Sequence, residues 1–439
     1  MKTLIKNSHI LTMDAKFTEY SDGYLIIKDT KIIEIGPYNQ FLQSESNFDE
    51  VIDARQAIMI PGMVNTHTHI GMIPFRSLGD DYPDRLRRFL FPLEIACMTE
   101  QLAYHSGKYA IAEMQMAGIT TFTDMYYFED TLAQATDEMK SRAILGETVV
   151  DFPTCDAPTA HGGIEYAKKF IPKWLDHELI TPAIAPHAPN TNDPKALKAA
   201  AELAEEYGVP MTMHVAEMNY EMDHFREKYN ATPVEFLQSL GVLSPRFIAA
   251  HCIHLSDQDL QILKQEGVSV AHCIGANTKS AKGVARVKDM LELGIPVGLG
   301  TDGPSSGNTL DLFTQMKLVA NFHKTTLQDR TAFPAKDIVA MATIEGAKVL
   351  NMSNEIGSLE VGKRADVVLV ETTSVNMFPI FDPYADLVYS ANASNVQDVF
   401  INGTALVRNK QLVYHELTVL RSNLASEMVY FSKKAKELA

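Results

Sequence analysis

The sequence predicts an α/β chain: a (β/α)8, TIM-like barrel with a small β-sandwich domain built from both chain ends. Three observations lead there. Eight β-rich runs alternate with helix-period segments, both ends of the chain share a texture of short strands and tight turns, and a histidine or aspartate follows every one of the eight runs.

At the amino end, residues 3–13, 23–28 and 31–35 read as strands, and the last two are separated only by Asp29-Thr30. A two-residue gap between β-rich runs signals a hairpin. The texture returns at residues 365–370 and 399–407, the latter split by Asn402-Gly403, which suits a type I′ turn. The predicted boundaries are 1–58 for the first part of the sandwich, 59–358 for the barrel, and 359–439 for the second part with a C-terminal helix. In residues 416–439, Leu417, Leu420, Leu424, Met428 and Phe431 recur at helical intervals. That stripe is expected to pack on its own chain.

The barrel strands are read at residues 58–64, 119–123, 142–150, 180–186, 210–213, 247–250, 268–271 and 295–299, with helices at 100–117, 194–207 and 310–322 among the connections. In a closed parallel barrel the carboxyl ends of all strands meet on one face. His67 and His69, Asp124, Asp151, His187, His214, His251, His272 and Asp302 are therefore expected to converge, although they are spread over half the chain. An open doubly wound sheet would also alternate β and α, but it normally carries a Gly-rich phosphate loop. Neither G-x-G-x-x-G nor G-x-x-x-x-G-K-[ST] is present.

Composition narrows the function. The chain has 439 residues, 46% hydrophobic and 21% charged, enough for a sizeable core. Its 39 basic and 55 acidic side chains give a net charge of −16, which disfavours a polymeric nucleic acid as partner. Cys97, Cys155, Cys252 and Cys273 form no C-x-x-C pair, which fits a reducing compartment. No run of 18 apolar residues and no secretory h-region is found, so a cytoplasmic protein without a membrane partner is expected. A small-molecule substrate follows, and a homo-oligomer is left open.

His67-Thr68-His69 offers two imidazoles at i and i+2, which extended backbone points to one face, about 6–7 Å apart at Cα. That pair is a weak signal alone. With His214 and Asp302 it makes three neutral imidazoles and one carboxylate, leaving a divalent ion at +1, and at zero once a bound water ionises. Asp302 can also accept the released proton. Glu217, three residues past His214, sits where a proton carrier belongs, and its pKa is expected to be raised. His251 is a candidate for steadying the nucleophile and developing charge. His9, His105, His161, His177, His224, His254, His323 and His415 are read as structural or loop residues. A dinuclear barrel site commonly needs a lysine at the end of the fourth strand. Here that position reads Ala185-Pro186-His187-Ala188-Pro189, so one metal is favoured. The P-C-x-x-C element of the cytidine-deaminase type is absent.

Pro61-Gly62-Met63-Val64-Asn65-Thr66-His67-Thr68-His69, His214-Val215-Ala216-Glu217, Ala250-His251-Cys252 and Gly300-Thr301-Asp302-Gly303 resemble the amidohydrolase superfamily. The branch they resemble most holds the S-adenosylhomocysteine and 5′-methylthioadenosine deaminases and triazine chlorohydrolases. The segment from Gly357 to Asp366 is similar to the return into the β module of these enzymes. The resemblance implies one divalent ion, Zn²⁺ first and Fe²⁺ or Mn²⁺ as alternatives, on His67, His69, His214 and Asp302. It implies Glu217, His251 and Asp302 in catalysis, with His187 and Glu217 at the substrate. Glu94, in Phe91-Pro92-Leu93-Glu94, matches a glutamate that grips ribose hydroxyls.

The implied reaction is hydrolytic deamination of an adenosine-type nucleoside: adenosine, 5′-methylthioadenosine, 5′-deoxyadenosine or S-adenosylhomocysteine. Guanine or pterin deamination and triazine dechlorination are alternatives, and a non-catalytic barrel acting in binding or assembly is a remote one. Two positions depart from the pattern. His272-Cys273-Ile274-Gly275 stands where the deaminases show His-Asn-Pro, and Glu147 stands where homocysteine-accepting enzymes carry an arginine. An acidic Glu147 is expected to repel a substrate carboxylate.

Overall fold

The computed structural model describes residues 1–41, 47–83 and 85–438. Five strands open the chain: β1 (Lys2–Leu11), β2 (Glu19–Lys28), β3 (Lys31–Pro37), β4 (Glu50–Asp53) and β5 (Ile58–Pro61). Eight more follow, alternating with helices: β6 (Met63–Thr68), β7 (Ile119–Tyr126), β8 (Arg142–Val149), β9 (Ile180–Pro186), β10 (Met211–Val215), β11 (Phe247–His251), β12 (Ser269–His272) and β13 (Val297–Leu299). Four return at the end: β14 (Val367–Val370), β15 (Val396–Ile401), β16 (Thr404–Arg408) and β17 (Gln411–Leu412).

The chain ends share one nine-stranded sheet in the order β17-β16-β15-β14-β5-β1-β2-β3, with β4 also on β1. Both predicted turns are present. Lys28 pairs with Lys31 across Asp29-Thr30, and Ile401 pairs with Thr404 across Asn402-Gly403, whose φ values of 51° and 75° are those of a type I′ turn. Ile5, Ile10, Leu25, Ile27, Val367 and Phe400 lie in its core.

The eight middle strands form a second sheet in the order β13-β12-β11-β10-β9-β8-β7-β6. β6, β7 and β8 are buried along their full length, as parallel strands covered on both faces must be. β13 and β6 stand at opposite ends of this order, and the Asp302 N–H bridges them by donating to the His67 carbonyl at 3.0 Å. This nearly closed barrel is the one the alternation predicts.

Two sequence expectations shift. The run at 58–64 is two strands in two sheets, because β5 pairs with β1 and β14 whereas β6 begins the barrel. Gly62 separates them. A Cβ there would lie 2.0 Å from Thr120 Oγ1 and 2.4 Å from its Cγ2, so the close approach admits only hydrogen. The C-terminal helix, Leu417–Leu438, buries Leu420, Leu424 and Phe431, and the Phe431 ring meets Phe75 edge-on at 4.7 Å. Leu417 stays 40% exposed, so the packed stripe is narrower than the spacing suggested. Ala439 lies outside the described residues.

Contacts divide the chain into two compact units. One holds Met1–Asn65, Glu113–Thr121 and Asp311–Tyr414, and the other Thr66–Ala112, Phe122–Leu310 and the residues from His415 on. Among the described residues no helix is long and apolar enough to cross a membrane.

Gly62→Ala is expected to destabilise by about 1–3 kcal/mol through overpacking against Thr120. Thermal denaturation checks this, and a melting temperature equal to the parent's would refute the close-approach argument.

Candidate active site

Every group of the site belongs to the second unit. His67 is the fifth residue of β6 and His69 follows that strand; His214 lies in β10, His251 ends β11, and Asp302 comes three residues after β13. The backbone adopts left-handed conformations here at Ala216 (φ 50°), His251 (φ 72°), Cys252 (φ 49°) and Asp302 (φ 57°). Non-glycine residues avoid this region unless their surroundings fix them, and such residues cluster at functional sites.

Ligand nitrogens of His67, His69 and His214 all lie within 4.8 Å of one another. His69 Nε2 is 3.2 Å and His67 Nε2 3.9 Å from Asp302 Oδ1. Second partners orient the rings. His69 Nδ1 meets the Met125 carbonyl at 2.5 Å, and His214 Nδ1 meets the His187 carbonyl at 2.7 Å. Each Nδ1 therefore carries a proton and donates, which leaves Nε2 facing inward as the atom that would meet a cation.

Burial pulls the His67 and His214 imidazoles well below their usual pKa, so both stay neutral. Burial also works to lower His69, but the hydrogen bond and charge of Asp302 prevail and raise it to about 9. The same interaction holds the Asp302 carboxyl well below its usual range, against the opposing effect of burial. Three convergent imidazoles and one carboxylate fit a divalent cation. A second grouping, His67, His251 and Cys273, also lies within 4.8 Å. It is the weaker donor set, because burial pushes the Cys273 thiol well above 9 and keeps it protonated.

Beyond this cluster lies a line of proton-carrying groups. His251 Nε2 is 4.0 Å from Asp302 Oδ2 and 3.6 Å from Glu217 Oε1, and its Nδ1 is 2.8 Å from Asn277 Oδ1. The expectation that Glu217 has a raised pKa is overturned. Burial does act upward, but His251, Lys282 and His214 prevail and lower the carboxyl to about 2. Lys282 Nζ is 2.5 Å from Glu217 Oε1, a contact that no periodicity or motif marks.

Glu94, in the helix Phe91–Cys97, is 6% exposed and accepts from the Tyr126 hydroxyl at 3.1 Å. Burial, partly offset by that hydrogen bond, raises it to about 7. His187, its Nδ1 3.0 Å from Thr191 Oγ1, is lowered by burial to about 4. Its ring lies 4.9 Å from that of His214 and 6.4 Å from that of Phe91.

Not every strand-end residue joins the cluster. Asp124 is buried beside it, accepting from Ile70 N–H at 2.6 Å, whereas Asp151 is exposed. Glu147 is buried and its pKa is pushed well above the usual carboxylate range by burial and by Asp156. The shift favours the protonated form, which weakens the repulsion of a substrate carboxylate expected from the sequence.

The profile of the amidohydrolase family matches residues 58–406. The 5-methylthioadenosine/S-adenosylhomocysteine deaminase 1 of Syntrophus aciditrophicus is 38% identical over 413 residues, spanning 94% of this chain and 93% of its own. A 5′-deoxyadenosine deaminase of Methanosarcina acetivorans is 36% identical over 434 residues, spanning 97% and 98%. Among solved structures, a zinc-bound adenosine deaminase from Xanthomonas campestris superposes with a TM-score of 0.94 at 28% identity, covering 99% of this chain and 98% of that one. With a barrel that gathers three imidazoles and an aspartate at one mouth, the chain belongs to the amidohydrolase family.

Proposed function

We propose that the protein hydrolytically deaminates C6 of an adenosine-type nucleoside, releasing ammonia and the inosine analogue. The observation that carries this reading is the row His69, Asp302, His251 and Glu217, with successive separations of 3.2, 4.0 and 3.6 Å. The last two exceed direct hydrogen-bond reach, so a proton passes between these groups through the nucleophile or a water seated among them. The names of the relatives support the nucleoside: 5-methylthioadenosine and S-adenosylhomocysteine in one, 5′-deoxyadenosine in another.

His67, His69, His214 and Asp302 would hold the divalent ion, with Zn²⁺ supported by the bound zinc of the Xanthomonas enzyme and Fe²⁺ or Mn²⁺ as alternatives. When bound, such an ion supplies a nucleophilic hydroxide at neutral pH. Asp302 accepts a proton at its carboxylate. His251, fixed through Nδ1 on Asn277, directs Nε2 at the charge that develops as C6 becomes tetrahedral. Glu217 enters as a carboxylate, takes a proton from the attacking water and hands it to N1, the ring atom that gains electron density; the proton accepted by Asp302 goes to the amino group, which leaves as ammonia. Glu94 accepts from the ribose hydroxyls, and His187 contacts the base. We place the protein in the cytoplasm, acting on a small-molecule substrate.

Absorbance and ammonia release with a panel of adenosine, its 5′ derivatives, guanine and triazines test the reading. Deamination confined to guanine or the triazines would remove it.

Glu217→Gln is expected to retain the metal and lose about 10²- to 10⁴-fold in kcat. An active variant refutes the proton role. Glu94→Ala should cost about 10- to 100-fold in kcat/KM for nucleosides, the worth of a hydrogen bond to a charged group, and leave free bases unaffected. Metal affinity should depend on pH. The metal-free His69 keeps its proton up to about pH 9, and a cation must displace it. The association constant, measured by chelator competition, should therefore rise about tenfold per pH unit from neutrality towards pH 9. A flat profile would contradict the His69–Asp302 pair.

A further inference from the structure

Lys282 lies in the irregular stretch after the helix Ile274–Lys279, which follows β12. Its ammonium is 2.5 Å from Glu217 Oε1, and the two side chains are only 15% and 17% exposed. Burying an ammonium is unfavourable unless a partner compensates it, and a lysine stem loses much rotamer freedom when fixed. The backbone is shaped to hold it there. Ala281 (φ 53°) and Gly283 (φ 130°) flank it in left-handed conformations, and a Cβ at Gly283 would press on Ile253 Cγ2 at 3.0 Å.

Asn277 connects this lysine to the rest of the site. Its carbonyl accepts the Lys282 backbone N–H at 2.9 Å, while its side-chain Oδ1 holds His251 Nδ1 at 2.8 Å. Lys282 and His251 thus approach the same oxygen of Glu217, at 2.5 and 3.6 Å, from one shared anchor. Among the described residues, none hydrogen-bonds to Oε2. Ion pairs such as Arg246–Glu205 and Lys168–Glu165 join exposed surface groups. Lys282 instead takes its acceptor from the side chain placed above as proton carrier.

We propose that Lys282 is a positioning residue that pins Glu217 through Oε1 and thereby presents Oε2 to the substrate ring. This deepens the deaminase reading and rests on it for the role of Glu217. Without the ammonium the carboxylate turns freely about its terminal torsion, and the productive orientation becomes one of several. Binding of the nucleoside through Glu94 is untouched.

The test is a double-mutant cycle on the metal-loaded enzyme: Lys282→Met, Lys282→Arg, Glu217→Gln and Lys282→Met/Glu217→Gln, each with kcat, KM, metal content and melting temperature. It is run on whichever amino heterocycle the parent turns over. A parent active only on bases therefore removes the nucleoside reading and leaves this test intact. Lys282→Met should lose about 10- to 100-fold in kcat with KM changed less than about threefold, the scale of one charge-assisted hydrogen bond. Lys282→Arg should recover most of that loss. In the Glu217→Gln background, Lys282→Met should change kcat less than about twofold, because the pair acts as a unit. Parental kcat in Lys282→Met, equal losses in both backgrounds, or loss of bound metal would each overturn the proposal, the last two by assigning Lys282 a merely structural role.

Discussion

Asp302 is the point on which the site depends. Its backbone N–H bridges the first and last barrel strands, and its carboxylate faces His69, His67 and His251. The Thr68 hydroxyl donates to its carbonyl at 3.1 Å, and Oδ1 accepts the Gly303 N–H at 2.7 Å. One residue thus closes the barrel mouth and supplies the negative charge that the three buried imidazoles cannot. Without closure, His67 and Asp302 would stand at opposite edges of an open sheet, and no shared cation would be held. Fold and chemistry are linked through this contact.

Electrostatics then divide the labour. Desolvation keeps His67 and His214 neutral and so able to donate lone pairs, while Asp302 counteracts desolvation at His69. On the other flank, His251 and the Lys282 ammonium counteract burial and lower Glu217 to about 2, whereas Glu94, meeting a tyrosine hydroxyl, rises to about 7. Two buried glutamates in one mouth are thus given different proton affinities by their neighbours.

Much of this was legible in the sequence. A strand end is a short pattern with a reliable consequence, so alternating β and α runs sufficed to bring His67, His69, His214, His251 and Asp302 together. What the sequence could not deliver depended on contacts between distant segments. Gly62 divides one apolar run between two sheets because of Thr120, 58 positions away and without any local mark. The direction of the Glu217 shift is not legible in the sequence because it depends on His251 and on Lys282, 65 residues on and without periodic or motif context. Glu147 reads as an ordinary charge in the sequence, whereas burial and Asp156 together raise its pKa in the fold.

The central claim is that one cation is shared by four residues gathered from both ends and the middle of the barrel sheet. Anomalous diffraction at the absorption edge of the bound metal tests it most directly. The account predicts a single peak about 2.0–2.2 Å from Nε2 of His67, His69 and His214 and an oxygen of Asp302. A peak centred instead on His67, His251 and Cys273, or one that leaves out Asp302, would contradict it.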